Sequence, residues 1–206
     1  MIALAAGTGA ATSLTAPASA GPDAFRAQRV AAMFDGHYDA IWRTLRRLGI
    51  PDADVDDAAQ RVFVTAARRL DTIELGHEGR YLYGIAVRVA SELRRRAPSR
   101  HEVADATVLA SIADDSPGPE EVLLEHEARD ALDATLADMP DDLRAVLVLV
   151  EIEGLSVADL AASLEVPVGT GASRLRRARE AFTESARRVR ARLDFTGVTG
   201  VKGAER

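Results

Sequence analysis

The chain has 206 residues, 47% of them apolar and only 4% aromatic, with a formal net charge of −6 at pH 7 and no cysteine. This length admits one large or two small domains, and cores drawn from Leu, Val and Ala favour helices over sheets. The missing cysteines exclude a disulfide framework and thiolate metal sites, the 4 histidines fall at no metal-ligand spacing, and no stretch is long and apolar enough to span a membrane.

Residues 1–23 are mostly Ala, Gly, Thr, Ser and Pro, with a single Asp. They lack the positive start and continuous apolar core of a signal peptide and read as a disordered tail. Helical spacing begins at Phe25 and runs through Val30, Met33, Phe34, Tyr38, Ile41, Trp42, Leu45 and Leu48, and Gly49-Ile50-Pro51 stops it. Asp52 to Asp57 place acid at the start of a second helix, as the macrodipole favours. That helix extends to about Leu70 over Val55, Ala58, Ala59, Val62, Phe63 and Ala66. Residues 71–79 (DTIELGHEG) read as a loop. A third helix from about Arg80 carries Leu82, Ile85, Ala86, Val89, Ala90 and Leu93 on one face and ends in Arg94-Arg95-Arg96 before Pro98.

A linker rich in Asp, Ser, Ala and Pro occupies 98–119. Helices resume over about 120–138, stop at Met139-Pro140, and resume over 141–153 until Gly154. The second of these is the most apolar in the chain. Next comes LSVADLAASLEVPVGTGASRLRRARE, from Leu155 to Glu180. Ser156 can cap a helix, with Asp159 three positions on in a loose capping box. Val166, Pro167 and Gly169 mark a break, Pro167 suiting the first turn of a new helix. In that helix Val168, Leu175, Ala178 and Phe182 share a face. Ala172, Ser173, Arg176 and Arg177 share the opposite one, with Arg174 and Arg179 on its flanks. A short helix, a tight turn and a helix with a basic, short-chained outer face is how a helix-turn-helix enters a major groove. A surface helical hairpin with a solvated arginine face is the competing reading. After Leu193 the chain is rich in Gly and Thr, a tail expected to fray.

The acidity of the whole conceals a segregation of charge. Residues 98–140 hold 11 Asp and Glu against 2 Arg, and residues 168–193 hold 8 Arg against 2 Glu. Local charge decides where phosphates bind. The organisation is then tail, three-helix domain (24–97), acidic linker, four-helix domain (120–193) and tail (194–206). No strand alternation, phosphate-cradling glycine loop or Ser/His/Asp constellation is present, so nothing points to an enzyme.

Four segments in this order resemble the extracytoplasmic-function sigma factors of the sigma-70 family: FDGHYDAIWRTLRRLG, DVDDAAQRVFVTAARRLD, YLYGIAVRVASELRRR, and DMPDDLRAVLVLVEIEGLSVADLAASLEVPVGTGASRLRRARE. The resemblance covers about residues 25–190. It implies an all-α fold of two small helical domains, sigma regions 2 and 4, joined by a flexible linker. It also implies a cytoplasmic, non-catalytic subunit without cofactor that directs core RNA polymerase to promoter DNA, with an anti-sigma factor as a further partner class. Position by position, Asp57, Gln60 and Arg61 fall on the polymerase-clamp surface, where the family usually has an acid in place of Arg61. His77, Arg80, Tyr81, Arg88, Arg94 and Arg95 fall on the segment holding the melted −10 strand, Tyr81 standing where tryptophan is common. Tyr83 lies there too, with a core role the better reading. Ala172, Ser173, Arg174, Arg176, Arg177 and Arg179 fall on the −35 reading helix. Gly171 replaces the family's inward-packing valine, so a less rigid recognition helix is expected, one that Gly171→Val would stiffen. The linker's acids, Asp105, Asp114, Asp115, Glu120 and Glu121, could imitate nucleic acid in the polymerase channel. A stand-alone regulator using only the helix-turn-helix is the alternative function.

Overall fold

The computed structural model of the chain describes residues 21–96 and 119–200, the side chains of Pro22, 119–126 and 193–200 excepted. The acidic linker read at 98–119, apart from Pro119, therefore lies outside the described residues, as do residues 1–20 and 201–206.

Seven α-helices account for the described chain. α1 (Pro22–Arg47) starts on a proline, whose missing N–H costs nothing in the first turn. It ends at Gly49, whose φ of 86° closes a left-handed cap: the Gly49 N–H reaches the Arg46 carbonyl and the Ile50 N–H the Leu45 carbonyl. α2 (Asp52–Arg68) has Asp52 and Asp54 in its first turn. It closes two residues earlier than the sequence reading, because the chain tightens into a single 3-10 turn over Leu70–Thr72. α3 (Glu78–Arg96) starts two residues earlier than expected and shortens the loop accordingly. Ile41, Leu45, Leu48, Val55, Val62, Leu70 and Leu82 are all but sealed from solvent between these three helices. Each such side chain contributes roughly 1.5–3 kcal/mol.

α4 (Pro119–Ala137) and α5 (Asp141–Leu147) follow, and α5 passes directly into a π turn over Val148–Ile152. The sequence reading had one continuous helix over 141–153. The π turn widens the last part, and Gly154, at φ 73°, ends it. α6 (Val157–Ser163) and α7 (Val168–Gly200) complete the fold. α7 runs on through the stretch expected to fray after Leu193, where no proline interrupts it. Leu136, Val146, Leu149, Leu160, Leu175 and Ala178 form the core of this second unit. Val168, assigned to the inner face of α7, is instead exposed at its first turn.

The two units touch. α3 lies against α6 and α1 against α4, so the buried apolar residues of both make one continuous cluster.

Candidate nucleic-acid interface

The expected cap of α6 is present. The Ser156 hydroxyl accepts from the Asp159 N–H at 3.1 Å and donates to its carboxylate at 2.7 Å. This hydroxyl and, after it, Arg80 hold the Asp159 carboxyl below the usual carboxylate range. The helix closes in a Schellman motif, with the Glu165 N–H on the Ala162 carbonyl and the Val166 N–H on the Ala161 carbonyl. Glycine is the usual residue at the left-handed position of this motif. Here Glu165 occupies it at φ 55°, at a cost of about 1–2 kcal/mol. The sequence reading placed the break one residue later and missed this strained position.

α7 turns Leu175 and Ala178 inward and Ala172, Ser173, Arg176 and Arg177 outward. Arg174 is half-buried at the flank. Arg179 is held by Glu151 at 2.7 Å, and Arg176 reaches Glu180 at 3.5 Å one turn on. The six residues picked from the sequence thus divide: four form an open row, Arg174 borders it, and Arg179 is tied to the neighbouring turn. Gly171 is buried at the crossing of α6 and α7, where a Cβ would stand 3.4 Å from the Ala161 Cβ and 3.6 Å from the Val157 carbonyl. These are ordinary contact distances, so the crossing leaves room for a methyl group at this position.

On the first unit, His77 is exposed near Leu75 in the loop before α3, 3.6 Å from the Glu74 carboxylate. Leu75, 63% exposed, was not singled out in the sequence; an apolar side chain in so short a polar loop was the available signal. The loop is anchored by Arg29, a residue with no motif around it. Its guanidinium donates to the Glu78 carboxylate at 2.8 and 3.0 Å and to the carbonyls of Leu70 and Ile73. Glu78 also accepts from the Gly76 N–H at 2.7 Å. Burial works to raise the Glu78 carboxyl, and the hydrogen bonds from backbone and Arg29 outweigh it and hold the group low.

Tyr81 lines a cleft of about 220 Å³ together with Arg61, Thr65, Arg69, Ile85, Arg88, Val89 and Glu92. Arg61, which the sequence reading put on the polymerase-clamp surface, lines this cleft and donates to Glu92 at 2.9 Å. Asp57 and Gln60 are exposed on α2, while the adjacent Asp56 accepts from the Trp42 indole at 2.9 Å. Arg80 donates to Asp159 at 3.0 Å and Arg88 to Glu165 at 2.6 Å, both carboxylates of the second unit. Arg94 lies about 20 Å from Arg80 along α3, where it caps the α1 terminus at the Leu48 carbonyl and pairs with Asp141 at 3.1 Å. Arg94 and Arg144 crowd the same carbonyl, and burial lowers both guanidinium values. Arg95 is exposed at the same end. The −10 set of the sequence reading therefore spreads along α3, with His77, Arg80 and Tyr81 at its start, Arg88 at its middle, and Arg94 and Arg95 at its end.

Tyr83 is half-buried, and its hydroxyl donates to Glu153 at 3.0 Å. Burial, then the Glu153 charge, raises its phenol well above the ordinary value. No group of three or more His, Cys, Asp or Glu among the described residues is arranged to hold a metal ion.

Residues 33–100 match the family Sigma-70 region 2, and residues 129–182 match Sigma-70, region 4. The ECF RNA polymerase sigma-E factor of Escherichia coli strain K12 is 36% identical over 142 residues, which are 65% of this chain and 74% of that protein. The chain belongs to the extracytoplasmic-function sigma factors of the sigma-70 family. The ECF RNA polymerase sigma factor SigE of Mycolicibacterium smegmatis is 31% identical over 70% of this chain and 56% of its own length. Among solved structures, CnrH in complex with the cytosolic domain of CnrY aligns with a TM-score of 0.55 and 26% identity over 76% of this chain and 87% of that one. The sigma factor RpoE of Bartonella quintana, in complex with the anti-sigma factor NepR, aligns with a TM-score of 0.54 over 78% of this chain and 96% of that one, and at 22% identity it supports the fold. As an ECF sigma factor the chain acts in transcription initiation, α1–α3 forming region 2 and α4–α7 region 4. No helix among the described residues is long and apolar enough to cross a membrane.

Proposed function

We propose that region 4 reads the −35 duplex through the open row of α7, and that region 2 holds the melted −10 strand at the His77 end of α3. The observation that carries this reading is the row itself: Ala172, Ser173, Arg176 and Arg177 face solvent on a helix whose opposite side, Leu175 and Ala178, packs into the core behind the Ser156-capped α6. Short side chains at 172 and 173 let the backbone approach a groove, and each arginine can pair with a guanine edge for roughly 1–3 kcal/mol of discrimination. Arg174 serves a phosphate. Tyr81 and Leu75 offer faces on which unpaired bases stack, with Arg80 and Arg88 supplying positive charge for the backbone and His77 an exposed imidazole at the loop tip. Promoter melting then needs no chemistry from the protein, since binding unpaired bases offsets the few kcal/mol of unstacking. The chain is accordingly not an enzyme and works in the cytoplasm with core polymerase.

Asp57 and Gln60 face the polymerase clamp. Arg61 is turned from that contact toward Glu92, which it shares with Arg96. An anti-sigma factor is a further partner, as the RpoE of Bartonella quintana has in NepR.

The test is promoter binding by the reconstituted holoenzyme over a range of salt. Arg176→Ala and Arg177→Ala are expected to weaken binding and relax sequence preference at −35 positions. A variant at a phosphate contact, Arg174→Ala, weakens all sequences alike and lowers the log–log salt slope by about 1. Unchanged −35 preference in both the Arg176 and Arg177 variants contradicts the assignment.

A further inference from the structure

By spacing Val168 belongs to the inner face of α7, yet it is 56% exposed on the first turn of that helix. Val168, Ala172 and Arg176 follow one another at intervals of four residues, so their side chains are neighbours along the helix surface. Gly169, on the same first turn, is also exposed. A Cβ at Gly169 would meet nothing within 4 Å, so no internal contact excludes a side chain there. Glycine is nonetheless a poor helix former, and its use fits a backbone that something outside the chain must approach. α1, α2, α3, α5 and α6 each carry an acidic residue in the first turn, as the macrodipole favours. α7 carries none. Each of these choices weakens the start of the helix taken alone. Together they make a turn that a polyanion can approach closely: no carboxylate repels it, no side chain at position 169 holds the backbone away, and one apolar group projects.

We propose that Val168 is a specificity-determining residue that reads a thymine methyl group in the −35 element. The inference rests on the reading of α7 as the helix that enters the −35 major groove. A recognition helix meets base edges with its N-terminal residues, and of the four bases thymine alone presents a methyl group in that groove. A valine side chain offers no hydrogen bond, so the methyl is the one feature by which it can tell the bases apart. Ala172, one turn on, continues the apolar strip, and Arg176, a turn further, brings the guanidinium that pairs with guanine. Eight residues of α-helix span about 12 Å, and successive bases of a duplex stand about 3.4 Å apart. The thymine therefore lies within about four base pairs of the guanine that Arg176 contacts. Phe34, Val64 and Leu75, the other exposed large apolar side chains among the described residues, are all on region 2 and take no part in this site.

The test uses holoenzyme reconstituted from the full chain and core polymerase. Promoter duplexes randomised across the −35 element are first selected by the wild-type holoenzyme. Each thymine of the selected element is then replaced in turn by deoxyuridine, which lacks the methyl group and keeps every hydrogen-bonding group. At one position this should weaken wild-type binding about fourfold, the factor that burial of one methyl group gives. Val168→Ser should bind the thymine and deoxyuridine duplexes equally, and Val168→Ile should restore the discrimination. Because Val168 is exposed, neither substitution disturbs the core. A selected element with no thymine within the stated distance of a guanine overturns the inference, as does a wild type indifferent to deoxyuridine at every position. Undiminished discrimination in Val168→Ser also overturns it, by assigning the methyl contact to another side chain. Arg176→Ala and Arg177→Ala judge the underlying reading separately. If they lose the preference for guanine while Val168→Ser keeps the thymine discrimination, this inference alone fails. If neither alters the preference for guanine, the reading of α7 fails and this inference with it.

Discussion

Arg29 shows what a single side chain can hold. It lies in the first third of α1, 9% exposed, and gathers two carbonyls from the turn and loop that precede α3 and the carboxylate of Glu78 at the start of α3. Removing one member of a buried pair leaves the other charge uncompensated, at a cost of roughly 3–5 kcal/mol. Arg29→Ala is therefore expected to lower the unfolding free energy of the chain by that order, read from denaturant titration. A loss below about 1 kcal/mol would show that the loop is anchored otherwise. No periodicity rule distinguishes this arginine from its neighbours Arg26 and Arg43, because its partners are 41 to 49 residues away in sequence. Arg61 shows the same limit. Its charge looked repulsive toward a basic partner, and only the fold shows Glu92 beside it. Gly171 could be recognised as a departure but not interpreted without neighbours. With Ala161 and Val157 at ordinary contact distance from its Cβ position, alanine fits. Gly171→Ala should raise thermal stability by up to about 1 kcal/mol, while the larger side chain of Gly171→Val must displace Val157 and gain less. Calorimetry of the two variants checks the order.

At the scale of the element, spacing carried most of what was legible. Helix existence, the Ser156 cap and the inward face of α7 at Leu175 and Ala178 all follow from residues three, four or seven apart. Spacing could not show that α5 widens into a π turn, because the apolar run from Leu143 to Ile152 fits either geometry. Nor could it place the cap after α6, since glutamate carries no signal for a left-handed residue. The far half of α7 is held by Asp138, which accepts from Arg188 at 2.6 Å and from Arg192 at 3.1 Å. Burial works to raise this carboxyl, but the two arginines overcome it and hold the value below the usual range. A group depressed in the folded state stabilises fully above its unfolded value, near 4, and loses that contribution as pH falls through the lower folded value. Asp138→Asn should thus be less stable than wild type at pH 7. The gap should close as both are acidified below about pH 4, measured by denaturant unfolding at each pH. A gap that persists at pH 2 would mean that packing, not charge, is lost in the variant.

For the whole molecule, two helical units were expected and two are present, belonging to sigma regions 2 and 4. Their docking was not expected. The sequence treats Arg80, Arg88, Asp159 and Glu165 as members of separate modules, and their pairing spans 77 to 79 residues, beyond any local pattern. The residues proposed to touch DNA accordingly fall into two states of access: the α7 row lies open, while the α3 cations are engaged by region 4. The measurement that bears most directly on the proposed division of labour is run-off transcription with core polymerase from a promoter carrying both elements. The full chain should support specific initiation. Arg176→Ala with Arg177→Ala should abolish its dependence on the −35 sequence while leaving association with core intact. Failure of the chain to associate with core, or initiation indifferent to both promoter elements, would contradict it.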